Sequence, residues 1–435
     1  MPFSRVILNE RDGSCVILSG AKDLTKSQKE FAMEKRNIKF SPPDITEEEI
    51  AAVGEALRSG WITTGPRTKE LEKKLKEYTG AAGCVCLNSA TASEELNLRV
   101  AGIGEGDEVI VPAYTYTATA SAVLHVGAKL RFIDICADRP ELDYDALDGM
   151  INERTKAVIP VDLGGVPCDY DRIRDILERK SALFKPKGKL QEAAGRVLII
   201  ADGAHSLGAY RNSSSGKKMA GSLADMTSFS FHAVKNFTTA EGGASMWMPF
   251  SGVDDEELYH EYQLYSLHGQ SKDALAKTKL GAWEYDIEGA YYKCNMTDMA
   301  AAIGLVQFKR YPGLLEKRRE LIKRYDALCE ETGMEHLVHF TDDYSSSGHL
   351  YITRLPGFDD EKRREFIIKL AEKGVTSNVH YKPLPMMTAY KKLGFDIKDF
   401  PGAYHYYENE VTLPLHTLLT DEDMEYICEA VKEAL

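Results

Sequence analysis

The feature that most constrains how this chain can fold is an alternation of short apolar, β-rich runs with helical or mixed segments. Five such runs, and then two more with a polar loop between them, are Cys84–Leu87, Glu108–Val111, Lys129–Ile135, Ala157–Val161, Val197–Ala201, Met226–Phe231 and Gly242–Met248. Strands that alternate with helices build a mostly parallel sheet covered by helices on both faces. The sequence therefore predicts an α/β fold around such a sheet.

The character of the sequence changes along the chain and predicts three parts. Residues 1–36 are polar and weakly periodic, and we expect them to form a poorly ordered N-terminal extension. Residues 37–309 carry the strand–helix alternation and are predicted to form a large domain, in which the Lys- and Gly-rich segment Ser181–Arg196 is expected to be a surface insertion. Residues 310–435 are predicted to form a smaller α/β domain with long charged helices at Arg310–Glu331, Asp360–Lys373 and Thr420–Leu435.

Composition excludes several classes of protein. With 54 Lys and Arg against 67 Asp and Glu, the net charge of −13 argues against a nucleic-acid partner, which needs a basic surface. The eight cysteines contain no CxxC pair, so we expect buried thiols and neither disulfides nor a metal site. No apolar stretch approaches the roughly 20 residues of a membrane helix, and no signal peptide is evident. We therefore expect a cytoplasmic protein without a membrane partner.

Candidate site residues are those just after each predicted strand, because ligands collect at the carboxyl ends of strands in open α/β sheets. The first strand leads into Asn88, Ser89, Ala90, Thr91 and Ala92, and a helix follows. Small and hydroxyl residues at a helix N-terminus leave amide N–H groups at the positive end of the helix dipole, which favours a phosphate. Taken alone, the segment is more simply explained as an ordinary helix N-cap.

Two further strands lead to an aromatic residue and a carboxylate. Tyr116 follows the second strand, where its ring could stack on a planar ligand, although packing is the more common role. Asp202 and His205 follow the strand Val197–Ala201. A carboxylate directly after aliphatic residues is costly to bury unless it meets a cation or several donors, and capping a helix is the alternative role.

The segment Ser228–Ala244, SFSFHAVKNFTTAEGGA, is the most informative. It places Lys235 after a predicted strand, in a loop rich in hydroxyl and amide side chains and followed by two glycines. A lysine in such a buried setting has a lowered pKa and acts as a nucleophilic amine, for example toward an aldehyde. A solvated loop lysine is the alternative, and it fits this apolar, glycine-flanked segment poorly.

These four features together match the requirements of pyridoxal 5'-phosphate. That cofactor needs a phosphate cradle, a planar stacking partner, a carboxylate for its pyridine nitrogen and a nucleophilic lysine. At about 4 Å and an effective dielectric constant near 20, the carboxylate and a protonated ring nitrogen attract by roughly 4 kcal/mol before desolvation. The protonated ring acts as an electron sink that makes the substrate Cα–H acidic.

Seven motifs resemble the DegT-type sugar aminotransferases, which are fold type I pyridoxal-phosphate enzymes. The resemblance covers roughly residues 38–435 and rests on GWITTGP (Gly60–Pro66), NSATAS (Asn88–Ser93), VPAYTYTATAS (Val111–Ser121), ADGAHSLGA (Ala201–Ala209), SFSFHAVKNFTTAEGGA (Ser228–Ala244), NMTDMAAAIGLVQ (Asn295–Gln307) and HYKPLP (His380–Pro385). It implies a seven-stranded, mostly parallel sheet sandwiched by helices, with a smaller C-terminal domain. The spelling SFHAVKN…AEGG most resembles the branch that aminates the 4-keto pentose of UDP-linked arabinose.

The resemblance also implies roles for individual residues. Lys235 matches the Schiff-base lysine and proton shuttle, Asp202 the partner of the pyridine nitrogen, and His205 a position beside the ring hydroxyl. The remaining cofactor positions are matched by Tyr116, which would stack on the ring, and by the phosphate-binding set Ser89, Ala90, Thr91 and Ser230. In this family a residue of the neighbouring subunit, commonly Asn, also reaches the phosphate, and here Lys293 stands at that position. The resemblance thus implies a homodimer with shared active sites.

The function implied is transfer of the amino group of L-glutamate, which leaves as 2-oxoglutarate, to a nucleotide-linked keto sugar, with UDP the favoured nucleotide. Ping-pong kinetics are expected. The predicted lining of the sugar and nucleotide end comprises Trp61, Thr63, Thr64, His380 and Tyr381. Two alternatives remain: a related sugar dehydratase, which carries His at the lysine position, and a non-catalytic regulator that binds the cofactor. An NAD-dependent oxidoreductase is disfavoured because Asn88–Ser93 contains no glycine.

Overall fold

The computed structural model describes residues 35–214, 216–272 and 284–435, together with the backbone of two short N-terminal strands. The chain divides into two compact units, residues 1–35 and residues 36–435. In the first unit, β1 (Ile7–Leu8) pairs antiparallel with β2 (Cys15–Val16). The predicted extension over residues 1–36 otherwise lies almost entirely outside the described residues.

A seven-stranded sheet forms the centre of the second unit, in the order β3-β11-β10-β7-β6-β4-β5. Its strands are β3 (Gly83–Leu87), β4 (Glu108–Pro112), β5 (Lys129–Ile133), β6 (Thr155–Val158), β7 (Leu198–Asp202), β10 (Met226–Ser230) and β11 (Gly243–Trp247). The pairs β10–β7, β7–β6, β6–β4 and β4–β5 are parallel, whereas β11 runs antiparallel to both of its neighbours. The predicted mostly parallel α/β sheet is therefore confirmed.

Helices cover both faces of this sheet and extend into the C-terminal part. They are α1 (Glu47–Arg58), α2 (Pro66–Thr79), α3 (Ala90–Val100), α4 (Thr117–His125), α5 (Tyr144–Met150), α6 (Tyr170–Arg179), α7 (Lys189–Ala194), α8 (Asp255–Ser266), α9 (Asp298–Thr332), α10 (Asp360–Glu372), α11 (Thr388–Lys392), α12 (Pro401–Glu408) and α13 (Asp421–Ala434). Short 3₁₀ helices occur at Leu163–Gly165, Ser181–Leu183, Leu384–Met386 and Ile397–Asp399.

The ends of the first two helices follow from local chemistry. Thr46 and Glu49 form a capping box at the start of α1, in which each side chain accepts from the other residue's backbone N–H. Helix α2 begins at Pro66, whose missing N–H is unimportant in the first turn, and it ends at Gly80. Gly80 adopts φ 72°, a left-handed conformation that glycine takes without a Cβ penalty.

Two smaller sheets complete the unit. One has the order β13-β8-β9 and the other β12-β14-β15, and all their pairs are antiparallel. Their strands are β8 (Tyr210–Ser213), β9 (Gly216–Met219), β12 (Glu335–His336), β13 (Tyr344–Ser345), β14 (Tyr351–Arg354) and β15 (Glu410–Leu413). Tyr351 of β14 and Val411 and Leu413 of β15 share one apolar core with α10, α13 and the C-terminal half of α9.

Two sequence expectations concern segments that these elements now define. The boundary proposed between residues 309 and 310 falls inside the continuous helix α9, so the division into 37–309 and 310–435 remains a prediction. The expected surface insertion Ser181–Arg196 forms α7, which buries Leu190 and Gln191. The amide of Gln191 donates to the carbonyl of Ala101 at 2.8 Å, which ties this segment to the end of α3.

The cysteines that the structure describes are free thiols. They stand at positions 84, 86, 136, 168, 294, 329 and 428, and four of these seven are buried. Within the described residues, no helix combines the length and the apolar character that crossing a membrane requires.

Candidate active site

A cavity of about 500 Å³ opens at the carboxyl ends of β3, β4, β7 and β10. Two groups of residues face each other across it. The strand-end wall comprises Ser89, Ala90, Thr91, Tyr116, Asp202, His205, Ser230 and Lys235. The C-terminal wall comprises Asn378, Val379, His380 and Tyr381. The structure thus brings most of the predicted site residues into one space, at the sheet edge where ligands of open α/β folds bind.

Asp202 ends β7 and is 5% exposed. Its carboxylate accepts from the hydroxyl of Thr119 at 2.7 Å and from the backbone N–H of Ala204 at 3.1 Å. The two donors fix the orientation of the carboxylate at the floor of the cavity. Sequence reasoning missed Thr119, although it stands one helical turn after Tyr116.

Lys235 lies in the loop between β10 and β11. Its side chain is partly exposed, but protein surrounds the ammonium group, and desolvation lowers its pKa to about 8. The carboxylates of Asp202 and Glu94 oppose this shift because they favour the charged form. At neutral pH a fraction of Lys235 is therefore the free amine, which is the nucleophilic form.

Glu94 is a cavity residue that sequence reasoning missed. It lies on α3, five residues after Ser89, is 1% exposed, and neither carboxyl oxygen has a hydrogen-bond partner among the described residues. Burial raises the pKa of Glu94 well above its ordinary value, and the neighbouring negative charge of Asp202 adds to the rise, whereas Lys235 opposes it. Burial thus favours the protonated form of Glu94.

His205 is held as a neutral ring with one defined tautomer. The backbone N–H of Gly164 donates to Nδ1 at 3.2 Å, so the ring proton resides on Nε2, which lies 3.4 Å from the hydroxyl of Tyr381. Burial lowers the pKa of His205 well below its ordinary value, and the charge of Lys235 adds to this effect. Nε2–H is therefore a hydrogen-bond donor within the cavity.

The N-terminus of α3 supplies backbone donors. Ser89 is the N-cap and accepts from Ala92 N–H at 3.1 Å, and the first-turn amides at Ala90 and Thr91 have no acceptor within the helix. A Cβ on Gly243 of β11 would lie 2.4 Å from the carbonyl carbon of Ser89, so only glycine lets the strand pass this close. The hydroxyl of Ser230 completes a set of donors that suits an anion.

Tyr116 stands at the rim of the cavity as the N-cap residue of α4 and is 59% exposed. Its ring centroid lies 5.7 Å from that of Tyr381, with the planes 43° apart. The ring therefore presents a face at the opening between the two walls, where a planar ligand can stack.

The remaining predicted residues do not line this cavity. Trp61, Thr63 and Thr64 lie instead at the N-terminus of α9: Thr63 O accepts from Asp298 N–H at 3.0 Å, and the Thr64 hydroxyl donates to Met296 O at 2.5 Å. Close by, the exposed Lys293 hydrogen-bonds Asn295, whose amide donates to Thr64 Oγ1 at 2.5 Å. Trp61 Nε1 donates to Thr64 O, so Trp61 belongs to the same hydrogen-bonded cluster.

Residues 43–432 match the model of the DegT/DnrJ/EryC1/StrS aminotransferase family. The chain belongs to this family, and the predicted family is confirmed. A spore coat polysaccharide biosynthesis protein, SpsC of Bacillus subtilis, is 35% identical over 413 residues, which is 92% of this chain and 98% of SpsC. The UDP-4-amino-4-deoxy-L-arabinose–oxoglutarate aminotransferase of Shewanella sediminis is 34% identical over 400 residues, 90% of this chain and 96% of that protein.

Solved structures give the same assignment of fold. A Streptococcus pneumoniae protein assigned as a sugar aminotransferase, Spr1654, matches in its PLP form with a TM-score of 0.87 and 53% identity, covering 92% of this chain and all of that one. Helicobacter pylori PseC, an aminotransferase involved in pseudoaminic acid biosynthesis, matches with a TM-score of 0.79 and 28% identity, covering 92% and 99% of the two chains. The predicted fold class is therefore confirmed.

Proposed function

We propose that this chain is a pyridoxal-phosphate-dependent aminotransferase that moves the amino group of L-glutamate to a nucleotide-linked keto sugar, with UDP as the favoured nucleotide. The observation that carries the proposal is one cavity holding a desolvated amine, Lys235, an ionised carboxylate, Asp202, and the N-terminus of α3. Family membership makes the chain a sugar aminotransferase by descent. The identities of the sugar, its nucleotide and the amino donor go beyond what family membership gives.

Pyridoxal 5'-phosphate fits the residues present, and the predicted cofactor is confirmed by the 53%-identical neighbour, which has been solved in its PLP form. The amides at Ala90 and Thr91 and the hydroxyl of Ser230 would hold the phosphate, and the close approach allowed by Gly243 keeps that cradle small. When bound, the cofactor supplies an aldehyde for amine exchange and a protonated ring that accepts electrons from the substrate Cα.

Each wall residue then has a definite task. Asp202 would pair with the pyridine nitrogen, because its two donors orient the carboxylate toward the cavity. His205 would donate from Nε2 toward the ring hydroxyl, and Tyr116 would cover the ring face. Lys235 would supply the amine that attaches the cofactor aldehyde and, when free, the group that takes the proton from the substrate Cα.

The reaction balances in two halves. In the first half, L-glutamate leaves its amino group on the enzyme and departs as 2-oxoglutarate, which consumes one water. In the second half, the keto sugar takes up that amino group and one water is released. Lys235 serves both halves, first removing the Cα proton and later delivering one to the sugar carbon. Ping-pong kinetics follow because one product leaves before the second substrate binds.

The proposal includes a cytoplasmic homodimer with shared sites. Lys293, Trp61, Thr63 and Thr64 lie away from the cavity of their own chain, around the N-terminus of α9. In a dimer of the kind implied by the family resemblance, this group would face the partner's cavity, with Lys293 supplying a cation to the phosphate and the others lining the sugar and nucleotide end. The Shewanella relative, named for a UDP-linked substrate, supports UDP as the nucleotide.

The proposal is tested by trapping and by turnover. Borohydride reduction of the cofactor-loaded protein, followed by peptide mapping, should label Lys235, and a single turnover with L-glutamate should release 2-oxoglutarate. The exposed Lys309, which pairs with Glu48, provides the matched control variant Lys309→Ala. A panel of UDP-, dTDP- and GDP-linked 4-keto sugars then identifies the acceptor. Label on another lysine would contradict the mechanism, and label without 2-oxoglutarate release would indicate a cofactor-binding regulator.

A further inference from the structure

Behind the C-terminal wall, a carboxyl group, a hydroxyl and an imidazole form a hydrogen-bonded relay. Glu410 and Thr412 lie on β15 and are completely buried, whereas His380 lines the cavity. Glu410 Oε1 and the Thr412 hydroxyl are 2.6 Å apart, and Thr412 Oγ1 lies 2.9 Å from His380 Nδ1. The relay links a buried acid to the ring that faces the substrate space.

The ring and chain of His380 are held in place by contacts outside the relay. Phe40 stacks on the ring with centroids 5.4 Å apart and planes 19° apart. The hydroxyl of Tyr114 donates to the carbonyl of His380 at 3.0 Å. Asn378 and Thr412 exchange two backbone hydrogen bonds, which fixes the register between the wall and β15. Protons can therefore move in the relay while its heavy atoms stay fixed.

One contact determines where a proton on Glu410 must sit. The backbone N–H of His380 donates to Glu410 Oε2 at 2.9 Å. Because a backbone N–H can only donate, Oε2 is an acceptor in every state, and an added proton resides on Oε1, facing Thr412. The direction of the relay is therefore set by whether Glu410 Oε1 is protonated.

The two directions give His380 two different tautomers. When Glu410 is ionised, the Thr412 hydroxyl donates to Oε1 and accepts from Nδ1–H, so Nε2 carries a lone pair. When Glu410 is protonated, Oε1–H donates to Thr412, the hydroxyl donates to Nδ1, and the ring proton resides on Nε2. Nε2 thus changes from acceptor to donor as Glu410 takes up a proton.

We propose that Glu410 and Thr412 are positioning residues that set the tautomer of His380, and that the Nε2–H form binds acceptor-only oxygens of the substrates, such as a carboxylate. This rests on the proposed function, because L-glutamate and 2-oxoglutarate carry two carboxylates each. His380 lines the same cavity as Lys235 and its Nδ1 is engaged by Thr412, so Nε2 is the ring nitrogen left to contact a molecule bound there. The protonation state of the buried Glu410 then determines whether His380 Nε2 can donate to an acceptor oxygen of the substrate.

Burial and the charges around Glu410 set the pH at which the His380 tautomer is expected to change. Burial raises the pKa of Glu410 to about 8, opposed by its hydrogen bonds from Thr412 and His380 N–H and by the positive charge of Arg363. The other titratable groups facing Glu410 are Tyr114, Tyr381 and Tyr406. Burial and the charge of Lys235 lower the pKa of His380 to about 3, so its ring is neutral throughout this range. The tautomer is therefore the property that changes.

His205 provides a built-in reference. Its Nδ1 accepts from the backbone N–H of Gly164. That group can only donate, so the ring proton of His205 stays on Nε2 at every pH. A general effect of pH on the protein would change the ring-nitrogen signals of both histidines. An effect transmitted by the relay changes the tautomer of His380 alone.

The test is a tautomer titration of the full chain, labelled with ¹⁵N at histidine, from pH 6 to 10. Two-bond ¹H–¹⁵N spectra separate the two tautomers, and His380→Gln assigns the signal. We expect His380 to change from Nε2–H to Nδ1–H with a midpoint near pH 8, while His205 does not change. A His380 tautomer that is constant over this range overturns the proposal.

Two variants identify the source of the transition. In Glu410→Gln the amide oxygen must face the His380 N–H, so the amide NH₂ faces Thr412 and holds His380 as Nε2–H at every pH. Thr412→Val keeps the shape of the buried strand and removes the hydroxyl, which should abolish the transition, and Thr412→Ser should restore it. A transition near pH 8 that persists in Glu410→Gln also overturns the proposal.

Ligand binding tests the second half of the inference without requiring turnover. Glutarate, an unreactive dicarboxylate, is titrated into the cofactor-loaded protein at pH 7 and pH 9.5. Loss of one donor should weaken its binding about tenfold in the wild type at the higher pH, relative to Glu410→Gln. Equal pH dependence in the two proteins contradicts the donor role of Nε2–H. Failure of glutamate turnover alongside a normal tautomer transition would instead count against the proposed function.

Discussion

The two walls of the cavity hold their polar groups in different ways. In the strand-end wall, Asp202 and His205 each accept from a backbone N–H, of Ala204 and of Gly164, which can only donate, and Asp202 also accepts from the Thr119 hydroxyl. In the C-terminal wall, His380 is oriented by a hydroxyl, which can donate or accept. The first wall therefore has backbone donors of fixed polarity, which suits a cofactor that stays bound from one cycle to the next. The second has a reversible polarity, where substrates must alternate.

Lys235→Ala should give the largest effect on the strand-end wall. Removing the amine eliminates both the attachment to the aldehyde and the proton carrier, so release of 2-oxoglutarate from L-glutamate should fall by at least about 10⁴-fold. Single-turnover kinetics measure this, with Lys309→Ala as the unaffected control. Substantial activity in Lys235→Ala would break the comparison, because the chemistry would then reside elsewhere.

Asp202→Asn should have the next largest effect. It keeps an oxygen that accepts from Thr119 or Ala204 but removes the charge that holds the pyridine nitrogen protonated. The lost attraction of roughly 4 kcal/mol corresponds to a decrease in kcat of about 10³-fold. Stopped-flow absorbance of the first half-reaction provides the measurement. A loss below tenfold would show that the fixed charge of this wall is not needed.

His205→Phe should cost about tenfold in kcat/KM, the value of one neutral hydrogen bond, by the same factor from pH 6.5 to 9.5. The donor is lost at every pH because the tautomer of His205 is fixed by Gly164. Glu410→Gln, in contrast, should differ from the wild type only above about pH 8. Parallel pH–rate profiles for the two variants would remove the distinction between the walls.

Glu94→Gln should have the smallest effect, and on stability. The pKa of Glu94 is higher in the folded protein than the unfolded value near 4.3, so its stabilising contribution is complete below that pH and is lost as the pH rises toward the folded pKa. Glutamine avoids ionisation in either state. The cofactor-free variant should therefore be more stable than the wild type by about 1–3 kcal/mol at pH 8 and nearly equal at pH 4.5.

Urea denaturation at the two pH values measures this difference. The isosteric Glu95→Gln is the control, because Glu95 pairs with Arg99 on the outer side of the same helix. If Glu94→Gln were less stable at pH 8, Glu94 would be ionised and paired with Lys235, and the strand-end wall would carry two fixed carboxylates instead of one.

Much of the strand-end wall could be predicted from sequence because it is local. Buried strands are recognised by their apolar runs, and the residue after each predicted strand lies at one sheet edge, which is how Asp202 was found. Ser230 came instead from the family resemblance. The start of α9 was placed at Arg310 although it begins at Asp298, because the helix was recognised by its charged residues and the preceding turns are mostly apolar. Glu94 was missed because a carboxylate within a helix usually faces solvent.

The relay behind the C-terminal wall could not be predicted in this way. His380 and Glu410 are 30 residues apart, and the bridge between Asn378 and Thr412 brings them together. Such pairing is set by the packing of the whole sheet β12-β14-β15 and not by any local pattern. For the same reason, sequence alone did not show that Trp61 and Lys293 lie beside the N-terminus of α9, away from their own chain's cavity.

Helix α9 joins two distant parts of the molecule. Its 35 residues span about 52 Å, from Asp298, which accepts from the backbone N–H and hydroxyl of Thr68, to turns packed near β15, where the Tyr325 hydroxyl donates to Pro414 O. Pro312 leaves the carbonyl of Phe308 without its usual helical donor. Bending of α9 is therefore easiest at this turn, between the end held by Thr68 and the end held beside β15.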